Sequence, residues 1–125
     1  MIFDTDIIIW IQRGNGKAAD LVDSDNDRSI SIVSYMELLQ NARNRQQQTV
    51  IKDYLKEMDF TILALSENIG HRASIYIEEY SLGHGISTDD ALIASMAIEN
   101  NQTLVSGNSK HYKAIQELKF KRFNV

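Results

Sequence analysis

A chain of 125 residues with 13 basic and 17 acidic side chains, a net charge of −4 and 43% hydrophobic residues is sized for one domain, residues 1–125, around a single core. It contains no cysteine, which excludes a disulfide framework and thiolate metal sites and makes the cytoplasm the expected compartment. No apolar stretch approaches the ~18 residues of a membrane span, no signal peptide is expected, and the acidic balance argues against broad electrostatic attraction to nucleic acid.

Met1-Ile2-Phe3 reads as a buried strand with Asp4-Thr5-Asp6 at its carboxyl end. The run Ile7 to Ile11 is rich in β-branched residues. One strand over 1–11 would nevertheless bury Asp4 and Asp6 in mid-sheet, so a strand, a turn and a short helix closed by Gly14 are expected. Ala18, Ala19, Leu21 and Val22 form a helical stripe ahead of an acidic loop at 23–27. Ser29-Ile30-Ser31-Ile32-Val33 alternates as a second strand. Ser34-Tyr35-Met36-Glu37 matches a capping box that opens a helix with Tyr35, Leu38, Leu39 and Ala42 inward, which gives Glu37 a purely structural role to weigh.

Val50, Ile51, Tyr54, Leu55 and Met58 mark a further amphipathic helix, and Phe60 to Leu63 a third strand. Ser66 caps a longer helix with the stripe Ile69, Ala73, Tyr76, Ile77 and Tyr80, ending near Gly83-His84-Gly85. The segment from Thr88 to Ile98 is apolar or small on every side after Asp89-Asp90, so it predicts an interior helix with Thr88 as N-cap. Two acids in a first turn also suit the helix dipole, so capping alone would account for them. Thr103-Leu104-Val105 is a fourth strand, broken by Ser106-Gly107-Asn108. A short helix carrying Ala114, Ile115 and Leu118 follows, then an edge strand within 120–125. Strands alternating with helices give an α/β domain with a mainly parallel sheet of four or five strands and helices on both faces.

In such sheets ligands bind beyond the carboxyl ends of the strands. Asp4, Asp6, Glu37, Asp89, Asp90, Ser106 and Asn108 all fall at positions that could share that edge. Carboxylates about 4 Å apart repel by roughly 4 kcal/mol at an effective dielectric near 20, and capping does not offset that. A cation does, and an all-oxygen set suits Mg²⁺ or Mn²⁺ rather than structural zinc. Ions held this way neutralise phosphate oxygens and activate water, which points to hydrolysis of a nucleic-acid backbone.

Four stretches then resemble a known family. Asp4-Thr5-Asp6-Ile7-Ile8-Ile9, Ser34-Tyr35-Met36-Glu37-Leu38-Leu39, Gly85 to Ala97 with its core Asp90-Ala91-Leu92-Ile93-Ala94, and Leu104 to Tyr112 resemble the motifs of PIN-domain ribonucleases, in particular the small VapC-type toxins of toxin–antitoxin pairs. The resemblance implies a three-layer α/β/α sandwich, Mg²⁺- or Mn²⁺-dependent endoribonuclease activity on single-stranded RNA, a homodimer and a cognate antitoxin. It implies Asp4, Glu37 and Asp90 as the acids that hold the ion. Asn108 stands where some relatives have a fourth acid, which favours one well-held ion. Asn108 and Ser106 are expected to orient water or the scissile phosphate, and Asp6 and Asp89 to tune the site from behind the ligands.

Other residues carry less. Arg13, Lys17, Arg43, Arg45, Lys110 and Arg122 are potential phosphate contacts, set against the solvent-facing role of most isolated basic side chains. Trp10 reads as core or dimer interface ahead of base stacking, Tyr76 and Tyr80 as packing, and His84 and His111 as surface or structural. Two rivals stay open: a phosphatase using Asp4-Thr5-Asp6 with Asp4 as nucleophile, and an inactive PIN-like protein that only binds a partner.

Overall fold

The computed structural model describes residues 1–125. Strands β1 (Ile2–Phe3), β2 (Ser29–Ser31), β3 (Thr61–Leu63), β4 (Leu104–Ser106) and β5 (Phe120–Arg122) form one sheet in the order β3-β2-β1-β4-β5, with every neighbouring pair parallel. Parallel neighbours need crossovers, and helices supply them: α1 (Thr5–Gln12) and α2 (Gly16–Asp23), α3 (Ile32–Gln40) and α4 (Arg45–Glu57), α5 (Glu67–His84) and α6 (Thr88–Glu99), then α7 (Ser109–Tyr112). No helix is long and apolar enough to cross a membrane.

Successive side chains of a strand point to opposite faces, and this divides the core. Ile2 and Leu104 join Ile69, Ala73 and Tyr76 of α5 and Ala91, Ile93, Ala94, Met96 and Ala97 of α6. Phe3 and Val105 join Ile7 of α1 and Ala18 and Val22 of α2, while Ile30 packs with Ile8, Leu38, Ile51 and Leu55 of α1, α3 and α4. The sheet is therefore the middle of three layers. Helix α6 is the interior helix its sequence predicts: Ile93 is 1% and Met96 0% exposed, each burial worth about 1.5–3 kcal/mol. Its buried Ser95 hydroxyl donates to Ala91 O at 2.7 Å. Gly85 ends α5 with φ +68°, the left-handed conformation that a Cβ disfavours.

Several boundaries differ from the sequence reading. Helix α1 begins at Thr5, directly after the first strand, with Asp4 as its N-cap. Strand β2 stops at Ser31, and Ile32 and Val33 are already helical because Val33 is drawn into the core beneath α5 and α6. The cap of α3 is therefore Ser31, whose Oγ accepts from Val33 N at 3.0 Å. Ser34 sits inside the helix, wholly buried, with no partner for its Oγ. The capping box is thus absent, and Glu37 is released from it. Ser87, rather than Thr88, caps α6, its Oγ accepting from Asp90 N at 3.2 Å. Ser106 completes β4 instead of breaking it, and the helix after it is only α7. Ile115 and Leu118 are buried from turns, since the chain must swing out to the edge strand β5.

Candidate functional site

Strand order reverses at β1, which lies between β2 and β4, and the carboxyl ends of these strands open on a cleft of about 700 Å³. Asp4, Asp6, Glu37, Asp89, Asp90 and Asn108 all line it. Asp4 follows β1, Glu37 projects from α3, and Asp89 and Asp90 occupy the first turn of α6. Ser106, wholly buried, does not line the cleft but holds Asp4 from below.

Asp4 is 6% exposed, and both its oxygens are engaged. Oδ1 accepts from Thr5 N at 2.8 Å, and Oδ2 from Ser106 Oγ at 2.7 Å and Tyr112 Oη at 3.0 Å. Burial raises the Asp4 pKa; hydrogen bonds from Ser106, Thr5 and Tyr112 oppose this, and the charge of Asp90 adds to it. Asp90 Oδ1 faces the same Tyr112 hydroxyl at 3.2 Å, and its Oδ2 lies 2.8 Å from His111 Nδ1. An ionised carboxylate only accepts, so Nδ1 is the donor whenever Asp90 is charged. Asn108 Nδ2 approaches the same imidazole nitrogen at 2.9 Å, and Asn108 N donates to Ser106 Oγ at 3.0 Å.

Glu37 lies within reach of Thr5, whose Oγ1 donates to Oε1 at 3.4 Å. Partial burial raises its pKa, and the charges of Asp89, Asp4 and Asp90 push in the same direction. Asp6 takes Gly107 N on Oδ2 at 2.8 Å, while Oδ1 is buried without a partner. Burial, then the charge of Asp4, raises its pKa to about 6. Gly107 leaves room for this approach: a Cβ there would stand 2.9 Å from Asp6 Oδ2, so one of the two would have to shift. The charges of neighbouring acids thus act on Asp4, Asp6 and Glu37 across the cleft. In this arrangement no three acidic or histidine side chains are gathered closely enough to hold a metal ion.

Two residues of the site escape a reading of the sequence. His111, expected at the surface or in a structural role, lines the cleft and meets Asp90. Tyr112, in the sequence no more than an aromatic closing a motif, joins Asp4 to Asp90. Their signal is position alone, a few residues beyond the carboxyl end of β4. Among the basic residues named from the sequence, Arg122 lines the cleft, whereas Arg13 lies over the Trp10 ring at 5.5 Å. Trp10 packs partly against the Phe3–Ile7 core and also lines the cleft. Tyr76 and Tyr80 stack on α5 as packing residues, with His84 edge-on to Tyr80. No lysine lines the cleft.

Residues 1–117 match the PIN domain. The chain belongs to the PIN-domain family. No curated protein matches it significantly. Among solved structures, this PIN domain is similar to VapBC2 from Rickettsia felis bound to a DNA fragment from their promoter, at 26% identity and TM-score 0.79 over 99% of this chain and 100% of that one. It is similar to VapBC-1 from nontypeable Haemophilus influenzae at 27% identity and TM-score 0.78, covering 98% of each chain. A toxin–antitoxin complex from Klebsiella pneumoniae shares the fold at 24% identity and TM-score 0.79, over 94% of this chain and 93% of that one. The PIN domain therefore stands in a nuclease family beside VapC-type toxins, as the motif resemblance implies.

Proposed function

We propose that this PIN domain is an endoribonuclease, dependent on Mg²⁺ or Mn²⁺, that cuts single-stranded RNA as the toxin of a toxin–antitoxin pair. The observation that carries the proposal is the meeting of Asp4, Glu37, Asp89 and Asp90, from separate elements, in one cleft where neighbouring charges oppose ionisation of Asp4 and Glu37. The donor set fits a hard divalent cation: it is dominated by carboxylate oxygen, one buried Asp6 oxygen is unsatisfied, and added positive charge would relieve the repulsion. Asp4, Glu37 and Asp90 would hold the ion. When bound, it supplies charge neutralisation for phosphodiester oxygens and eases ionisation of water.

The protein's own residues do the rest. Thr5 and Ser106 keep Glu37 and Asp4 in place by hydrogen bonding, and Asp6 fixes the Gly107 backbone at the cleft wall. His111 meets Asp90 and Asn108 meets His111 at the cleft wall, where they would orient water or the scissile phosphate. Arg122 offers a fixed positive charge to the RNA backbone at the rim. Structural neighbours solved as VapBC complexes support a cognate antitoxin as partner, and the motif resemblance implies a homodimer.

The test is cleavage of single-stranded RNA by purified protein with Mg²⁺ or Mn²⁺, against Asp4→Asn and Asp90→Asn. Both variants should keep the wild-type circular dichroism spectrum and lose at least about a hundredfold in rate. Wild-type rates in either variant, or undiminished cleavage in EDTA, refute the proposal.

A further inference from the structure

Helix α7 is four residues long, and two consecutive side chains at its end terminate on carboxylates of the cleft. Tyr112 is the more constrained of them. It is 1% exposed, its ring tilted against Phe120 at a centroid distance of 5.6 Å within the core beneath α6. A phenylalanine would fill that space as well, so the hydroxyl is what needs a reason. Burying a hydroxyl is costly without partners, and the partners here are two acids: Asp4 Oδ2 at 3.0 Å and Asp90 Oδ1 at 3.2 Å.

We propose that Tyr112 is the positioning residue that fixes Asp4 and Asp90 relative to each other as a ligand pair for the divalent cation. The inference rests on the metal-held reading above and adds to it the group that sets the spacing. Ser106 hydrogen-bonds Asp4 and His111 meets Asp90, but the Tyr112 hydroxyl meets both. Asp4 ends β1 and Asp90 starts α6, so the hydroxyl ties a strand end in the middle layer to a helix in an outer one. Its position is set by a ring locked in the core rather than by a mobile side chain. The hydroxyl shares its one proton between the two carboxylates and, being neutral, does not compete with a cation for them as a lysine or arginine would.

The experiment is Mn²⁺ binding by titration calorimetry on wild type, Tyr112→Phe and Tyr76→Phe. Tyr76 is a second buried tyrosine, whose hydroxyl meets Glu117 and Arg72 outside the cleft. Tyr112→Phe should bind Mn²⁺ about tenfold more weakly, and Tyr76→Phe should match wild type. RNA cleavage by Tyr112→Phe at limiting Mn²⁺ should fall in kcat with KM for RNA unchanged, and excess Mn²⁺ should restore most of the rate. Equal or tighter Mn²⁺ binding by Tyr112→Phe overturns the inference and leaves the proposed function standing. A rate loss that excess Mn²⁺ does not restore also overturns it, since the hydroxyl would then act on something other than the ligand pair. Wild-type protein that binds no Mn²⁺ overturns the metal-held reading itself, and the inference with it.

Discussion

Asp6→Asn separates the electrostatic strain of the cleft from its packing. The amide is nearly isosteric: its oxygen can still accept from Gly107 N, now 2.8 Å from Asp6 Oδ2, and its NH₂ group replaces the buried oxygen that has no partner. Burial and the charge of Asp4 raise the Asp6 pKa from 3.8 to about 6. A raised carboxyl pKa means that the folded protein binds this proton more tightly than the unfolded chain does. The contribution of Asp6 to stability is therefore intact below about pH 4 and is lost as pH rises through 6. At about 1.4 kcal/mol per tenfold change in affinity, the gap gives an upper bound of about 3 kcal/mol. Asp6 is partly exposed, and solvent screening brings the figure to about 1–2 kcal/mol. Urea unfolding in EDTA should find the two proteins nearly equal at about pH 4 and the variant more stable by about 1–2 kcal/mol at pH 7, or about 4–8 °C in thermal midpoint. A variant no more stable than wild type at pH 7, with the same slope of stability against pH, refutes the reasoning.

Gly107→Ala puts a Cβ 2.9 Å from Asp6 Oδ2 and 3.4 Å from Phe123 O, and should cost about 1–3 kcal/mol by urea unfolding. The cost should shrink in an Asp6→Ala background, where the nearer obstacle is gone. Ser34→Ala removes a buried hydroxyl with no partner and should leave stability unchanged or raise it by up to about 1 kcal/mol, whereas a capping serine would lose about 1. Ser87→Ala should cost about 1 kcal/mol through loss of the bond from Asp90 N, and Thr88→Ala less than about 0.5, which a pair of thermal melts distinguishes.

The convergence of acids is legible because Asp4 and Asp6 stand just past β1, Glu37 lies in the helix that follows β2, and Asp89 and Asp90 open the helix that leads into β4; in a parallel sheet the ends of such helices and strands meet at shared edges. Composition and alternation likewise carry the α/β order and the interior character of α6. What escapes is the point of entry into helices. Ile32 and Val33 have β-branched side chains and continue the alternation of β2, yet the core under α5 and α6 claims Val33 in a helical backbone. That shift of three residues moves the cap from Ser34 to Ser31 and removes the structural role that a capping box would give Glu37. His111 and Tyr112 escape for another reason: nothing local separates a packing tyrosine from one whose hydroxyl meets two carboxylates.

The middle strand of this sheet also precedes, along the chain, both strands that it pairs with. One edge of β1 has its partner once β2 is made, while the other edge waits for β4, whose Leu104 aligns with Ile2. At about 5–20 residues per second, a ribosome needs on the order of 5–20 s to span that interval. Throughout that interval Asp4 lacks Ser106 and Tyr112, and Asp90 lacks His111. The topology therefore acts as a timer: the nascent polypeptide carries its acids unassembled until the closing strands are made.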